Sequence, residues 1–146
     1  MDRLLLIACS QRKNPAKGLL PALGRYDGPA FRVLRKYLRE TEGSGPVVAI
    51  ISAKYGLIAS GRRIPDYDCR LSARSAHALR PRVLKAARHL LTSRSWRSIG
   101  ICAGKEYQIA LQGLSDLIPE GVGIDVIRGG QGPRLTALRD WLKQSP

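Results

Sequence analysis

Five short stretches hold most of the side chains in this sequence that are able to do chemistry. The first, ACSQRKNP at 8–15, sets Ser10, Arg12, Lys13 and Asn14 side by side. Cations and small hydroxyls beside accessible backbone amides suit a phosphate-sized anion. The stretch contains neither GxGxxG nor GxxxxGK[ST], so neither a dinucleotide fold nor a Walker loop is indicated, and a solvated basic loop is the plain alternative. The second, SAKYGLI at 52–58, ends an apolar run with Ser52 and places Lys54 and Tyr55 before Gly56 permits a turn. A cation beside an aromatic ring suits the wall of a site for a flat, anionic ligand. The third, GRRIPDYDCRLS at 61–72, packs Arg62, Arg63, Asp66, Tyr67, Asp68 and Arg70 around Pro65. A carboxylate among several cations suits a site that binds a phosphate backbone and sets the carboxylate against a positively charged transition state. A surface turn with incidental Arg and Asp pairs is the competing reading. The fourth, CAGKEYQ at 102–108, places Lys105 and Tyr107 at a helix start after Gly104. The fifth, RGGQGPR at 128–134, is a glycine-rich turn in which the backbone around Arg128, Gly130 and Gln131 lets a ligand approach closely.

The two histidines, His77 and His89, fall inside a helical pattern, so nucleophile activation by histidine is not expected. The polar groups left for catalysis are Asp27, Asp66, Asp68, Lys13, Lys54, Tyr26, Tyr55 and Tyr67. Cys9, Cys69 and Cys102 are odd in number and far apart, which suggests neither a disulfide framework nor a CxxC zinc site. Two of them follow apolar runs, as small buried residues at strand ends do. No metal and no cofactor are expected.

Elements able to position these stretches are legible in the hydrophobic pattern. Apolar runs of strand length alternate with helical periodicity, the signature of an α/β fold with a largely parallel sheet. Strands are expected at 3–10, within 45–54, at 98–104 and at 121–129. Helices are expected at 28–40, with Phe31, Leu34, Tyr37 and Leu38 on one stripe and Pro29 in the first turn, across 72–93, at 105–117 and at 132–144. Pro81 marks a start, a kink or a break in the second of these. The longer irregular segments, 11–27 and 57–72, each follow the carboxyl end of a strand, where ligands bind in open α/β sheets.

With 146 residues, 44% of them hydrophobic, the chain is expected to fold as one domain spanning 1–146. Its 25 Lys and Arg against 11 Asp and Glu give a net charge of +14, a balance expected of a protein that meets a polyanion. Nucleic acid leads, an acidic membrane surface is second, and an Arg-rich genome with no polyanionic partner is the bland alternative. No apolar run approaches the roughly 18–20 residues of a membrane span, and the start MDRLLLIACSQRK lacks the flanks of a signal peptide, so a cytoplasmic location is expected.

The set CSxxK (Cys9, Ser10, Lys13), Tyr26, SAKYGL (52–57), PxYDxxL (Pro65, Tyr67, Asp68, Leu71), AGxxY (Ala103, Gly104, Tyr107) and a closing Gly-rich turn before a Leu/Trp helix resembles a bacterial and phage family. That family is similar to the core domain of archaeosine synthase and, more remotely, to the uracil-DNA glycosylase fold. The resemblance covers nearly the whole chain. It implies a three-layer α/β/α sandwich around a mostly parallel sheet of about four strands that handles a nucleobase, and it is shared with anti-phage DNA glycosylases. The aspartate motif expected after the first strand of uracil-DNA glycosylases is absent from ACSQRKNP, and their distal histidine motif is absent from RGGQGPR. The carboxylate must then come from elsewhere, and Asp68 is the choice, with Asp66 beside it.

On this reading the activity is hydrolysis of the N-glycosidic bond of a modified base, with glucosylated hydroxymethylcytosine in phage DNA as the candidate. Asp68 or Asp66 stabilises the oxocarbenium ion, and Lys54 faces phosphate or leaving base. Cys9, Ser10, Lys13, Asn14, Tyr26, Ser52, Tyr55, Gly56, Tyr67, Gly104 and Tyr107 hold the substrate. Arg12, Arg62, Arg63, Arg70, Lys105, Arg128, Gly130 and Gln131 track the backbone of double-stranded DNA with a flipped base. Two rivals stand: a base-modifying enzyme like archaeosine synthase, with a lysine amine as nucleophile, and a basic binding module without chemistry.

Overall fold

The computed structural model describes residues 2–144. The first apolar run forms strand β1 (Asp2–Ala8). A short strand β2 (Leu20–Pro21) and one helical turn α1 (Ala22–Arg25) precede helix α2 (Pro29–Thr41), which starts where Pro29 supplies a fixed φ and needs no N–H partner. Strand β3 (Val47–Ser52) turns at once into β4 (Gly56–Ala59), and β5 (Arg63–Ile64) follows. Helix α3 (Ala73–Thr92) begins at a reciprocal pair in which Ser72 and Ser75 each bond the other's backbone amide. Strand β6 (Trp96–Cys102), helix α4 (Lys105–Ala110), a 3₁₀ turn (Leu114–Leu117), strand β7 (Gly123–Val126) and helix α5 (Gln131–Lys143) complete the chain.

Five strands make one sheet in the order β4-β3-β1-β6-β7, parallel throughout except for the β3–β4 pair. A strand sends alternate side chains to opposite faces, and both faces of β1 are covered, so Leu4, Leu5, Leu6 and Ile7 are all at most 1% exposed. Leu4 and Leu6 join the core under α3 and α4, with Ala76, Leu79, Val83 and Ala110. Leu5 and Ile7 join the core under α2 and α5, with Phe31, Leu34, Leu138 and Trp141. Helices therefore cover the sheet on both sides in three layers. Gly100 of β6 is what lets α5 settle, because a Cβ there would lie 2.6 Å from the Trp141 ring. Arg3 stacks 3.9 Å over that ring and donates to the Trp141, Leu142 and Gln144 carbonyls, capping the last turn of α5.

Several sequence expectations need correction. The sheet has five strands rather than about four, because Gly56, with φ +78°, closes a tight hairpin and carries the chain back antiparallel as β4. A four-residue apolar segment behind a lysine and a tyrosine gave too short a period to read as a strand. β1 ends at Ala8, not at residue 10. The helix expected over 105–117 stops at Ala110, and Gly113 in left-handed conformation separates it from the 3₁₀ turn. The strand expected over 121–129 is confined to Gly123–Val126 at an exposed edge. Pro81 neither starts nor breaks α3; it sits on the solvent face, where the carbonyl it leaves free is open to water.

The segment 11–27 is not loose. Arg25, fully buried, faces no carboxylate and instead donates to the carbonyls of Asn14, Ala16, Gly18 and Ile64. The β2–β5 pairing and the Lys13–Tyr26 bridge fix the same region. One guanidinium thus ties four backbone acceptors together, of which the Ile64 carbonyl is buried.

Candidate functional site

The chain leaves β1 toward β3 on one side and returns to β6 on the other, so the carboxyl ends of β1 and β6 diverge. Such a switch point opens a crevice in α/β sheets. A cavity of about 400 Å³ lies there, between the ends of β1 and β6 and the starts of α2 and α5. Its walls are mainly apolar, with Ile7, Ala8, Ala30, Phe31 and Leu135 among them; Glu106 and Arg134 are its charged groups. A second cavity of about 470 Å³ adjoins it, sharing Cys9, Ser10, Glu106 and Tyr107 and adding Cys69 and Arg70.

Beside these cavities the end of β3 carries a knot of hydroxyls. Ser52 Oγ lies 3.2 Å from Tyr26 Oη and 3.0 Å from Tyr67 Oη, the two phenols bond each other, and Ser52 Oγ accepts the Lys54 and Tyr55 amides at 3.2 and 3.1 Å. Tyr67 stands edge-on to both Tyr26 and Tyr55, with ring centroids 6.2 and 5.5 Å away. Lys13 Nζ lies 4.6 Å and Lys54 Nζ 5.5 Å from the Tyr67 ring centre, and Arg62 lies 4.8 Å from that of Tyr55. Cys9 joins knot and cavities: its Sγ accepts the Ala53 amide at 3.4 Å and meets Tyr107 Oη at 3.0 Å. Burial pushes the Tyr26 phenol up to about 12, the Tyr67 and Tyr107 phenols higher still, and the Cys102 thiol up to about 11. These groups are neutral at physiological pH and serve as hydrogen-bonding and stacking surfaces rather than as bases.

The structure brings together Cys9, Ser10, Lys13, Tyr26, Ser52, Lys54, Tyr55, Tyr67, Gly104 and Tyr107. Some of the other expected residues have local duties. Asn14 caps its own turn by accepting the Ala16 amide, and Arg63 bonds the Leu19 carbonyl, while Ser10, which lines both cavities, also bonds the Arg12 carbonyl and the Gly28 amide. Gly56 faces α3, against Arg82, Val83 and Leu79, rather than the crevice. Asp66 and Asp68 are exposed, while Tyr67 and Cys69 between and after them turn inward, the alternation of an extended segment. Neither aspartate lines the two crevice cavities, and neither has an ion pair among the described residues. Asp27 is committed elsewhere: hydrogen bonds from Arg32 and Arg35 pull its carboxyl down to about 2, and Arg12 lies 3.9 Å away. Lys105 is exposed at the start of α4, Arg128 and Gly129 border a further cavity, Gly130 precedes α5 as its cap, and Gln131, the first residue of α5, lines the first cavity.

Two charged residues of the crevice were missed by sequence reasoning. Glu106 sits inside a quoted stretch but between two more conspicuous residues, Lys105 and Tyr107. Arg134 lies one turn into α5, and only the tertiary approach of α5 to the end of β6 gives it its place. Its Nε is buried without a hydrogen-bond partner, and its Nη1 is 3.8 Å from where a Cβ on Gly104 would stand. Among the described residues no group of three or more His, Cys, Asp or Glu is placed to hold a metal ion, and no helix is long and apolar enough to cross a membrane.

The arrangement can take a flat ring into a mostly apolar cavity, offer phenol faces beside it, and hold phosphates on the surrounding cations. Comparison with solved structures finds the same fold in a crystal structure of AF0587, a protein of unknown function, with a TM-score of 0.61 and 12% identity. The match covers 99% of this chain and 46% of AF0587, so the chain spans about half that protein's length. No match is found among curated proteins. Residues 4–140 match the model of a family of unknown function, DUF6884, and the chain belongs to that family.

Proposed function

We propose that the chain is a DNA glycosylase that hydrolyses the N-glycosidic bond of a modified base, acting in antiviral defence, within a fold related to uracil-DNA glycosylase and the archaeosine synthase core. The observation that carries this reading is the cavity of about 400 Å³ at the carboxyl ends of β1 and β6, with its mainly apolar walls. A flat base extruded from a duplex needs an apolar slot of this kind, and its flanking phosphates need cations outside it. On this reading Arg70, which lines the adjoining cavity, and Lys13, Lys54 and Arg62, which stand over the Tyr67 and Tyr55 rings in the neighbouring knot, are the cations for those phosphates, and Tyr55 and Tyr67 are the stacking candidates. The sugar's developing positive charge then calls for a carboxylate at the mouth of the slot. Asp68 and Asp66 stand exposed on the segment whose Cys69, Arg70 and Leu71 line the adjoining cavity, and Glu106 lines both cavities.

The test is an abasic-site assay on DNA carrying glucosylated hydroxymethylcytosine and on unmodified DNA, with wild type, Asp68→Asn, Asp66→Asn and Glu106→Gln. Abasic sites on the modified DNA, lost in one carboxamide variant, support the reading and identify the carboxylate. Salt-sensitive binding without abasic sites on any DNA favours a plain binding module. A bifunctional variant, in which Lys54 or Lys13 forms a Schiff base at the abasic sugar, is tested by borohydride trapping of a protein–DNA adduct that is lost in Lys54→Ala or Lys13→Ala.

A further inference from the structure

We infer that Arg134 is the anion receptor of the crevice, and that the cavity takes a planar ring with a negatively charged oxygen at its edge; within the glycosylase reading, on which this role rests, that ring is the departing base. Arg134 is the cation lining the cavity at the carboxyl ends of β1 and β6. Among the described residues its guanidinium has no ion pair or hydrogen bond, and its Nε is buried with no partner. A guanidinium presents five donors in a rigid fork and keeps its charge under all ordinary conditions. Burying one of those donors unbonded is costly, and a ligand that accepts from it recovers that cost.

The walls decide which anion. Ile7, Ala8, Ala30, Phe31 and Leu135 make most of the wall and suit the faces of a ring better than a compact hydrated ion such as phosphate, which the Glu106 carboxylate in the same wall also disfavours; Ser10, Tyr107 and Gln131 are its neutral polar groups. A ring whose charge is delocalised onto one edge oxygen satisfies walls and guanidinium together. Cleavage of an N-glycosidic bond makes such a group. The C1′–N bond breaks and its electron pair leaves on the base. Water supplies the hydroxyl that completes C1′, and its remaining proton ends on the departed base. Negative charge therefore grows on the base as the bond lengthens. In a pyrimidine it reaches the exocyclic oxygen beside the departing nitrogen; a purine has no oxygen at that position. Arg134 thus suits the edge oxygen of a pyrimidine, the class to which the candidate substrate belongs.

The test compares wild type with Arg134→Gln and Arg134→Lys, each first shown to be folded by its thermal melt. Isothermal titration uses orotate, a pyrimidine with a permanent carboxylate, and separately inorganic phosphate. Single-turnover base release uses DNA carrying modified pyrimidines of graded N–H acidity. Orotate is expected to bind the wild type and to lose about 10-fold or more in Arg134→Gln. Release is expected to slow about 100-fold with DNA affinity unchanged, and the deficit to widen as the leaving base becomes a poorer anion, a trend that a merely structural role does not produce. Arg134→Lys, with charge but no fork, falls between the two. Equal orotate binding by wild type and Arg134→Gln overturns the inference, as does phosphate binding that depends equally on Arg134. If the wild type releases base and Arg134→Gln releases it as fast, the inference fails and the glycosylase reading stands. If no DNA yields base but orotate binding still depends on Arg134, the glycosylase reading fails and the receptor assignment stands.

Discussion

Asp27 shows how one side chain can be chemically attractive in a sequence and structurally committed in the fold. Its carboxylate is held by Arg32 at 3.0 Å and Arg35 at 2.5 Å, and their hydrogen bonds draw its pKa from 3.8 to about 2. A carboxyl whose folded value is depressed stabilises the fold above its unfolded value and loses that contribution as pH falls through the folded value. The wild type should therefore lose stability between about pH 4 and pH 2. Asp27→Asn should be less stable at neutral pH and show a flatter acid limb there, as read by thermal melts across that range; an unchanged limb would show that the Arg32 and Arg35 contacts carry no net stability. Residue types alone put Asp27 on the same footing as Asp66 and Asp68. What separates them is which arginines α2 brings back toward Asp27, and that is tertiary information.

Elements differ in how plainly they announce themselves. α2 and α3 were legible because their apolar stripes are long and Pro29 marks the start of the first; the Ser72–Ser75 pair that starts α3 emerged only in the structure. β4 and the β2–β5 ribbon were not, because four-residue and two-residue strands carry almost no period and owe their existence to their partners. The same holds for the site: Cys9, Ser10, Ser52 and Tyr107 stand at predicted strand and helix ends, whereas Arg134 depends on how α5 docks. That docking has its own test. Gly100→Ala pushes a methyl into Trp141, so it should cost about 1–3 kcal/mol in denaturant unfolding. The loop between β1 and α1 depends on Arg25 in the same way. Arg25→Ala strands carbonyls of Asn14, Ala16, Gly18 and Ile64, and should cost about 2–4 kcal/mol while speeding amide exchange across residues 14–18. Loss of stability without faster exchange in that loop would mean that the clamp is global rather than local.

At the scale of the whole molecule, the charge is distributed as unevenly as it is large. From residue 69 to residue 105 the chain has nine Lys and Arg and no Asp or Glu, and α3 with its exposed Arg74, Arg82, Lys85 and Arg88 lies in that stretch. A surface of this kind releases counterions when it meets phosphates, so affinity for double-stranded DNA should fall by at least about 100-fold between low and physiological salt. An affinity indifferent to salt would remove the polyanion from the account. Binding alone, however, does not distinguish a reader of DNA from an enzyme that cuts a base out of it. The crevice at β1 and β6 is where the two differ on the proposed reading, since its mostly apolar walls suit a base that has left the stack. The most direct measurement is mass spectrometry of the small molecules released when the protein is incubated with phage DNA carrying glucosylated hydroxymethylcytosine and with unmodified DNA. The account predicts free modified base from the first and none from the second. Intact DNA and no free base from either, under conditions where the protein is bound, would contradict it.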